Sequence, residues 1–356
     1  MSEIKPLLAK LAASDASDLH LCAGSPPCYR LNGRIEPVDP ADKPLEFRDL
    51  EQMIFHVLTE DQQARLMADH ELDFSLGFSE VGRFRGNVHR QRGSWAVVFR
   101  KIPPEIPSMI ELGLPEIAKA LALKESGLVL VTGPTGSGKS MTLAAMIETI
   151  NRERACHVIT VEDPIEFLFK NQKALIKQRE IGSDTDGYTT ALRHSFRQDP
   201  DVLMIGEIRD RETISMAITA ASTGRLVLGT LHTMDAVSTV DRLVESFPAD
   251  QQNLVRNQIA GSLEGVISQQ LVRKSHGTGR VLAVEILVST PSVRNQIRTG
   301  KTFQVISDIE TGKRFGMQSM NQALQTLVTT DYIKLEEAIR HTRFPEQLLQ
   351  KLGVPQ

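Results

Sequence analysis

Eight consecutive residues could hold phosphate. Gly133-Pro134-Thr135-Gly136-Ser137-Gly138-Lys139-Ser140 fits the pattern G-x-x-x-x-G-K-[ST], in which glycines let successive backbone N–H groups curl around an anion. Lys139 can then reach the β- and γ-phosphates of a nucleotide, and the Ser140 hydroxyl can ligate Mg2+. Met141 continues the first turn of a helix whose positive dipole end adds to the same anion site. The bland alternative, a chance glycine-rich turn, must fill every fixed position and both flanks by accident. Further groups lie downstream. Glu162, Asp163 and Glu166 crowd the stretch Val161-Glu-Asp-Pro-Ile-Glu-Phe167, Glu207 sits in Gly206-Glu-Ile-Arg-Asp210, and His232 follows Thr230-Leu231. These groups suit in-line attack of water on a phosphoryl group. Glu162, Asp163 and Glu207 are the candidates for Mg2+, partly through water. Glu166 is the candidate for positioning the attacking water, and His232 for sensing the terminal phosphate. Any one acid here is as well explained by a turn or a salt bridge, and a lone histidine by packing. The argument rests on their recurrence at the ends of successive strands.

Those strands are legible. Gly127–Thr132 is a short apolar run before the glycine-rich loop, and residues 141–150 follow it at helical spacing. Residues 156–161, 201–205 and 225–230 are further buried-strand candidates, each followed by one of the polar motifs. Helix-period segments at 189–197 and 211–221 lie between them, and Gly182–Gly187 reads as a polar loop. Strand alternating with helix predicts a mostly parallel sheet with helices on both faces. Ligands bind such sheets beyond the carboxyl ends of the strands, where the acids fall.

The first hundred residues read differently. A helix over 3–13 precedes a strand start at Ser17–Leu21, a turn at Gly24–Pro27, and two short strands around Asn32-Gly33, a favoured hairpin turn. Residues 47–69 carry a helical pattern interrupted at Thr59, where Thr59-Glu-Asp-Gln62 fits a capping box. Period two then takes over in 73–78, 83–90 and 94–100. This predicts a small α+β domain over 1–101. Pro103, Pro104 and Pro107 break the pattern, so 102–112 reads as a linker and 113–356 as the second domain. Basic residues crowd the last two strands of the first domain. Arg83 and Arg85, spaced by two, share a strand face. They form either a solvated face or a set of arginines offered to a phosphate.

Composition narrows the classes. A net charge of −3 gives no global basic field, and one Trp with three Tyr offers few stacking platforms, so nucleic-acid binding is not expected. Cys22, Cys28 and Cys156 form neither a disulfide framework nor a zinc module. No apolar run approaches the length of a membrane span and Met1-Ser-Glu-Ile-Lys5 does not resemble a secretion signal, which predicts a cytoplasmic protein without a transmembrane segment. Towards the C-terminus, 236–272 reads as helical with a break at Phe247-Pro248, 280–288 as a core strand, 291–301 as an amphipathic helix, and 317–351 as two or three helices.

The order of motifs resembles the secretion-superfamily ATPases, which power type IV pili and type II secretion. The glycine-rich loop, Val161–Phe167 (an "Asp box"), Gly206–Asp210 and Thr230-Leu-His-Thr-Met-Asp-Ala236 (a "His box") occur there in the same sequence. Ser292-Val-Arg-Asn-Gln-Ile-Arg-Thr-Gly-Lys301 is similar to the signature of the PilT/PilU retraction branch, A-I-R-N-L-I-R-E-G-K; Ser292, Gln296 and Thr299 depart from it, which leaves an accessory paralogue of the PilU kind open beside the main retraction motor. The resemblance implies an N-terminal PAS-like domain followed by a RecA-like P-loop ATPase domain. It further implies a homohexameric Mg-ATPase motor for pilus retraction, engaged at the inner membrane with a platform protein and in some systems a paralogous ATPase. By carry-over Glu166 resembles the catalytic glutamate, Glu207 the Walker B glutamate and His232 the His-box histidine. Arg85, Arg92 and Arg100 are the candidates for phosphate contacts from the first domain. Arg225 stands where many relatives have His in T-G-H-L, which puts one His-box contact in question. Two other classes remain at this point. A nucleic-acid translocase is opposed by the charge and aromatic content; a non-motor nucleotide-binding regulator is opposed by the intact Lys139, Glu166 and Glu207.

Overall fold

The computed structural model describes residues 4–354 apart from Asn32, Pro104 and Thr278. They fall into two compact units. One runs to Glu105 and also takes in Pro164–Leu168; the other spans Ile106–Asp163 and continues from Phe169 onward.

The first unit contains α1 (Ile4–Ala13), β1 (Asp18–Cys22), β2 (Cys28–Leu31), β3 (Arg34–Pro37), α2 (Phe47–Val57), α3 (Glu60–Asp69), β4 (Glu71–Phe78), β5 (Gly82–Gln91) and β6 (Ser94–Ile102). Its six strands form one antiparallel sheet in the order β3-β2-β1-β6-β5-β4. Alternation decides the faces. Leu19, Leu21, Phe84, Val88, Val97 and Phe99 turn inward against Leu8, Leu11, Leu50 and Ile54 of the helices, and polar side chains take the other face. Thr59 caps α3 with the box expected: Gln62 N donates to Thr59 Oγ1 at 3.3 Å and Thr59 N to Gln62 Oε1 at 3.1 Å. The hairpin turn expected at Asn32-Gly33 includes Asn32, which lies outside the described residues; β2 and β3 do pair on either side of it.

The second unit begins with a turn-rich stretch in which Met109 and Leu114 are buried in its core. Then come α4 (Glu116–Ala122), β7 (Gly127–Thr132), α5 (Lys139–Glu153), β8 (His157–Glu162), β9 (Leu175–Glu180), α6 (Tyr188–Ser195), β10 (Val202–Ile205), α7 (Arg211–Ser222) and β11 (Leu226–Leu231). They are followed by α8 (Ala236–Glu245), α9 (Ala249–Ser262), β12 (Leu263–Arg273), β13 (Arg280–Val288), α10 (Pro291–Arg298), α11 (Val305–Thr311), α12 (Met320–Thr329), α13 (Leu335–His341) and α14 (Pro345–Leu352). Seven strands form one sheet, β13-β12-β7-β11-β10-β8-β9, parallel throughout except for the antiparallel β12–β13 pair. Every side chain of β7, β10 and β11 is buried, as a parallel sheet covered on both faces requires.

Besides α4 and α11, which the sequence pattern did not single out, two stretches differ from the expectation. Residues 263–272 are not the end of a helical segment but most of β12, the longest strand of this sheet. Leu175–Glu180 is an additional edge strand. No described helix is long and apolar enough to cross a membrane.

Candidate active site

The glycine-rich loop leaves β7 and enters α5, whose N-cap is Gly138 in the left-handed region at φ 88°. Gly133 has φ 143°, and a Cβ there would lie 2.3 Å from the backbone oxygen of Gln269, so β12 presses against the loop where only glycine fits. Lys139 is buried. Its Nζ donates to the carbonyl oxygens of Gly133 at 2.8 Å and Pro134 at 3.1 Å, so the loop wraps its own lysine. Thr135 and Gly136 are exposed at the tip, while Ser140 and Met141 sit in the first helical turn, where backbone N–H groups lack partners within the helix.

Two neighbouring strands bring groups to that lysine. His232 follows β11, and its Nδ1 lies 3.5 Å from Lys139 Nζ. Its Nε2 lies 3.0 Å from Glu207 Oε1, just past β10. A neutral ring satisfies both contacts with Nε2–H donating to the carboxylate and Nδ1 accepting from the ammonium. Glu207 is also gripped by Arg209, Nε to Oε1 at 2.5 Å and the second guanidinium nitrogen to Oε2 at 2.7 Å. Burial pushes the Glu207 carboxyl up, but the Arg209 hydrogen bonds and the Arg209 and Lys139 charges outweigh it and hold it below the usual carboxylate range. Lys139, His232, Glu207 and Arg209 thus form one continuous polar chain.

The other acids are placed differently. Glu162 is buried, with Oε1 accepting from Thr160 Oγ1 at 2.6 Å and Gln178 Nε2 at 3.1 Å, while Asp163 is exposed. Glu166 belongs to the first unit. There it lines a cavity of about 140 Å³ with Arg85, Arg100 and Lys101. Arg85 and Arg100 are directly opposed across β5 and β6, in a row that continues through Asp18 to Arg30. Asp18 is buried and accepts from Arg100 Nε at 2.8 Å. Burial raises its carboxyl, but Ser17 and Arg100 lower it further than burial lifts it. The structure does not bring Arg92 to this row. Arg92 occupies the β5–β6 turn at φ 47°, roughly 20 Å along the strand from Arg85. Arg225 stands before the first residue of β11, at the opposite end of that strand from His232, with its guanidinium over the Phe196 ring.

Residues 96–340 match the family described as Type II/IV secretion system protein. The type IV pilus retraction ATPase PilT of Pseudomonas aeruginosa is 45% identical over 97% of this chain and 99% of its own length. The chain belongs to the type II/IV secretion ATPase family. The type IV pilus ATPase PilU of the same organism is 38% identical over 99% of this chain and 92% of its own length. A crystal structure of the pilus retraction motor PilT with bound ADP superimposes with a TM-score of 0.92, at 43% identity, covering 98% of this chain and 100% of that one.

In this member of the family the signature helix α10 buries Val293 and Ile297, while Arg294 binds the carbonyl oxygens of Ala260 and Gly261 and the Glu264 carboxylate. The departures are exposed or half-buried and locally bonded: Ser292 to Asp308, Gln296 to Ser292, Thr299 back to Asn295. Three residues at the site escaped the sequence reading. Arg209 was visible two places after Glu207. Tyr188 opens α6, and its hydroxyl would lie 3.1 Å from a Cβ on Gly206. Burial, and then the Asp163 and Glu207 charges, push that phenol well above its ordinary range. Gln269 lies on the strand that was read as helix.

Proposed function

We propose that this protein is an ATP-hydrolysing motor that retracts type IV pili, converting ATP and water to ADP and phosphate. The observation that carries the reading is the chain Lys139–His232–Glu207–Arg209. A P-loop lysine, a strand-end imidazole and a strand-end carboxylate converge at one helix N-terminus, in a sequence similar along its length to a retraction ATPase. The loop amides of Gly133–Met141 would hold the phosphates, with Lys139 turning from its own loop to the γ-phosphate. Glu166 would orient the attacking water. Arg85 and Arg100, side by side, would neutralise phosphate charge, and Arg92 could do so only as a separate contact. The donor set suits Mg2+. Among the described residues no three His, Cys, Asp or Glu side chains gather into a cage, and Mg2+ is ordinarily held by one or two protein oxygens beside substrate phosphates and water. Ser140 would hold it, with Glu207 and Asp163 through water, and it would neutralise phosphate charge; Glu162 is already engaged by Thr160 and Gln178. We further propose a homohexamer that works at the inner membrane on a platform protein and turns its two units about the proline-rich connection near 102–107.

The test is steady-state ATPase activity of the wild type against Glu166→Gln, with solution mass recorded with and without nucleotide. Turnover by a hexamer that is lost in the variant supports the motor. A monomer, or turnover indifferent to Glu166, overturns it. The similarity to PilU keeps an accessory role as the second reading, and pilus retraction in a strain carrying this protein as its sole retraction ATPase separates the two.

A further inference from the structure

We propose that Gln269 is a positioning residue for the P-loop, and that with Gln270 it links nucleotide occupancy to the C-terminal helices. The inference rests on the nucleotide-binding reading of this site. Gln269 lies on β12, the strand beside β7, and is fully buried. Its Nε2 donates to the carbonyl oxygen of Ser137 at 2.7 Å, inside the P-loop. The reverse orientation of the amide would set two carbonyl oxygens face to face, so the loop dictates which way the side chain points. The Gln269 backbone oxygen also closes on Gly133, where a Cβ would be only 2.3 Å away. One residue thus touches the loop at its first glycine and again at Ser137. The β7 and β12 backbones are locked alongside by the Thr132 and Ser268 hydroxyls, 2.7 Å apart.

Among the described residues, two atoms beside this grip have no hydrogen-bond partner: Gln269 Oε1 and Ser137 Oγ, both buried. Such atoms are costly and rare in a settled interior. They identify an arrangement that a change in the loop can improve. A turn of Ser137 that lets its Oγ–H donate to Oε1 satisfies both. Phosphate entering the loop draws Lys139 off the Gly133 and Pro134 carbonyls, which frees the loop to make such a turn.

Adjacent strand residues point to opposite faces. Gln270 accordingly turns away from the loop, donating from Nε2 to the His341 carbonyl oxygen at 3.1 Å, while His341 Nδ1 lies 2.7 Å from its Oε1. Two consecutive glutamines therefore join the P-loop on one face to the end of α13 on the other.

The experiment uses the full chain. ADP affinity and the kcat and KM for ATP are measured for the wild type, Gln269→Met and Gln269→Glu. Methionine fills the same space without a donor; the carboxylate cannot donate to Ser137. The expected result is ADP binding about three- to tenfold weaker and KM raised in proportion, the loss of one net hydrogen bond to the loop, with kcat changed less. A packing role alone would lower the thermal midpoint and leave the affinity of folded protein unchanged. Wild-type affinity in either folded variant overturns the proposal. Hydrogen exchange on the wild type supplies the measurement that needs no variant. ADP should slow exchange in peptides covering 263–273 and 335–343 together with the P-loop, and protection confined to the P-loop overturns the link. Failure of the wild type to bind ADP at all would instead sink the functional reading beneath it.

Discussion

Glu285 should make the second unit less stable as pH rises, and Glu285→Gln should abolish that slope. Glu285 projects from β13 to the wall of a cavity of about 160 Å³, beside Met234, Val237, Ile309 and Phe344. Its Oε1 accepts from Ala236 N at 2.9 Å, the first residue of α8, and the carboxyl also accepts from the Met320 backbone at the start of α12. Burial is the dominant influence and raises the carboxyl; the two backbone bonds and Arg343 lower it, and Asp235, itself paired to Arg343, raises it. Glu310, Arg340 and His341 also border the cavity. The net result is a pKa pushed from 4.5 to about 6. A carboxyl raised in the folded state binds more protons there than in the unfolded chain, so stability falls as pH rises between these values and the loss is complete above about pH 6. A rise from 4.5 to about 6 corresponds to at most about 2 kcal/mol. Glutamine mimics the protonated acid. Urea unfolding followed by circular dichroism at pH 4 and pH 7.5 should therefore show the variant gaining about 2 kcal/mol on the wild type between the two conditions. Trp95, the single tryptophan, lies in the first unit and supplies a fluorescence transition that reports on that unit. A difference between variant and wild type that is equal at both pH values would refute the reasoning.

Arg92→Asn should stabilise the first unit by about 0.5–1 kcal/mol, because Arg92-Gly93 is a two-residue turn with both φ positive and Asn tolerates the left-handed region better than Arg. The Trp95 transition checks this. ATPase turnover of the folded variant decides its role: unchanged turnover excludes Arg92 as a phosphate contact, and a loss supports it as a contact separate from Arg85 and Arg100. Arg209→Gln should move the acid limb of the pH–rate profile upward, since it removes the strongest influence holding Glu207 below its ordinary range and leaves burial to raise it. An unmoved acid limb would show that Glu207 ionisation does not govern the rate.

What could be read from the sequence was whatever is local. The P-loop, the Thr59 capping box and the acids past β8 and β10 are contiguous patterns whose meaning needs no distant partner. The β12 strand was hidden because no loop sets it off. α9 runs to Ser262 and the strand begins at Leu263, so the breaker residues there, Gly261 and Gly265, fall inside the two elements rather than between them. Its burial is nearly continuous rather than alternating, as befits a strand covered on both faces, so Val266-Ile267-Ser268-Gln269-Gln270 shows no period of two. β9 was hidden for the opposite reason: Leu175-Ile-Lys-Gln-Arg-Glu180 is a short, polar edge. The placement of Glu166 among Arg85 and Arg100 is a tertiary fact, since α4, β7, the P-loop, α5 and β8 all lie between them in the sequence. Arg92 was grouped with Arg85 and Arg100 by the family resemblance, and the sequence does not show that it turns the hairpin.

The hidden strand changes the physical account of the site. With β12 read as helix, the loop after β7 has one strand neighbour, β11, and only His232 to report what the loop holds. With β12 in place, β7 is flanked on both sides, and each neighbour sends one side chain to the loop: His232 toward Lys139, Gln269 to Ser137. The two contacts differ in kind. His232 meets the lysine through a charge network that ends on the exposed Arg209, so it responds to ionisation and to phosphate charge. Gln269 is uncharged, fully buried and fixed to the backbone of the loop, so it responds to the shape of the loop rather than to its charge. A loop held in this way reports phosphate charge along β11 and loop conformation along β12. Mutations on the two strands should therefore separate in their salt dependence, with effects at His232 screened by added salt and effects at Gln269 not.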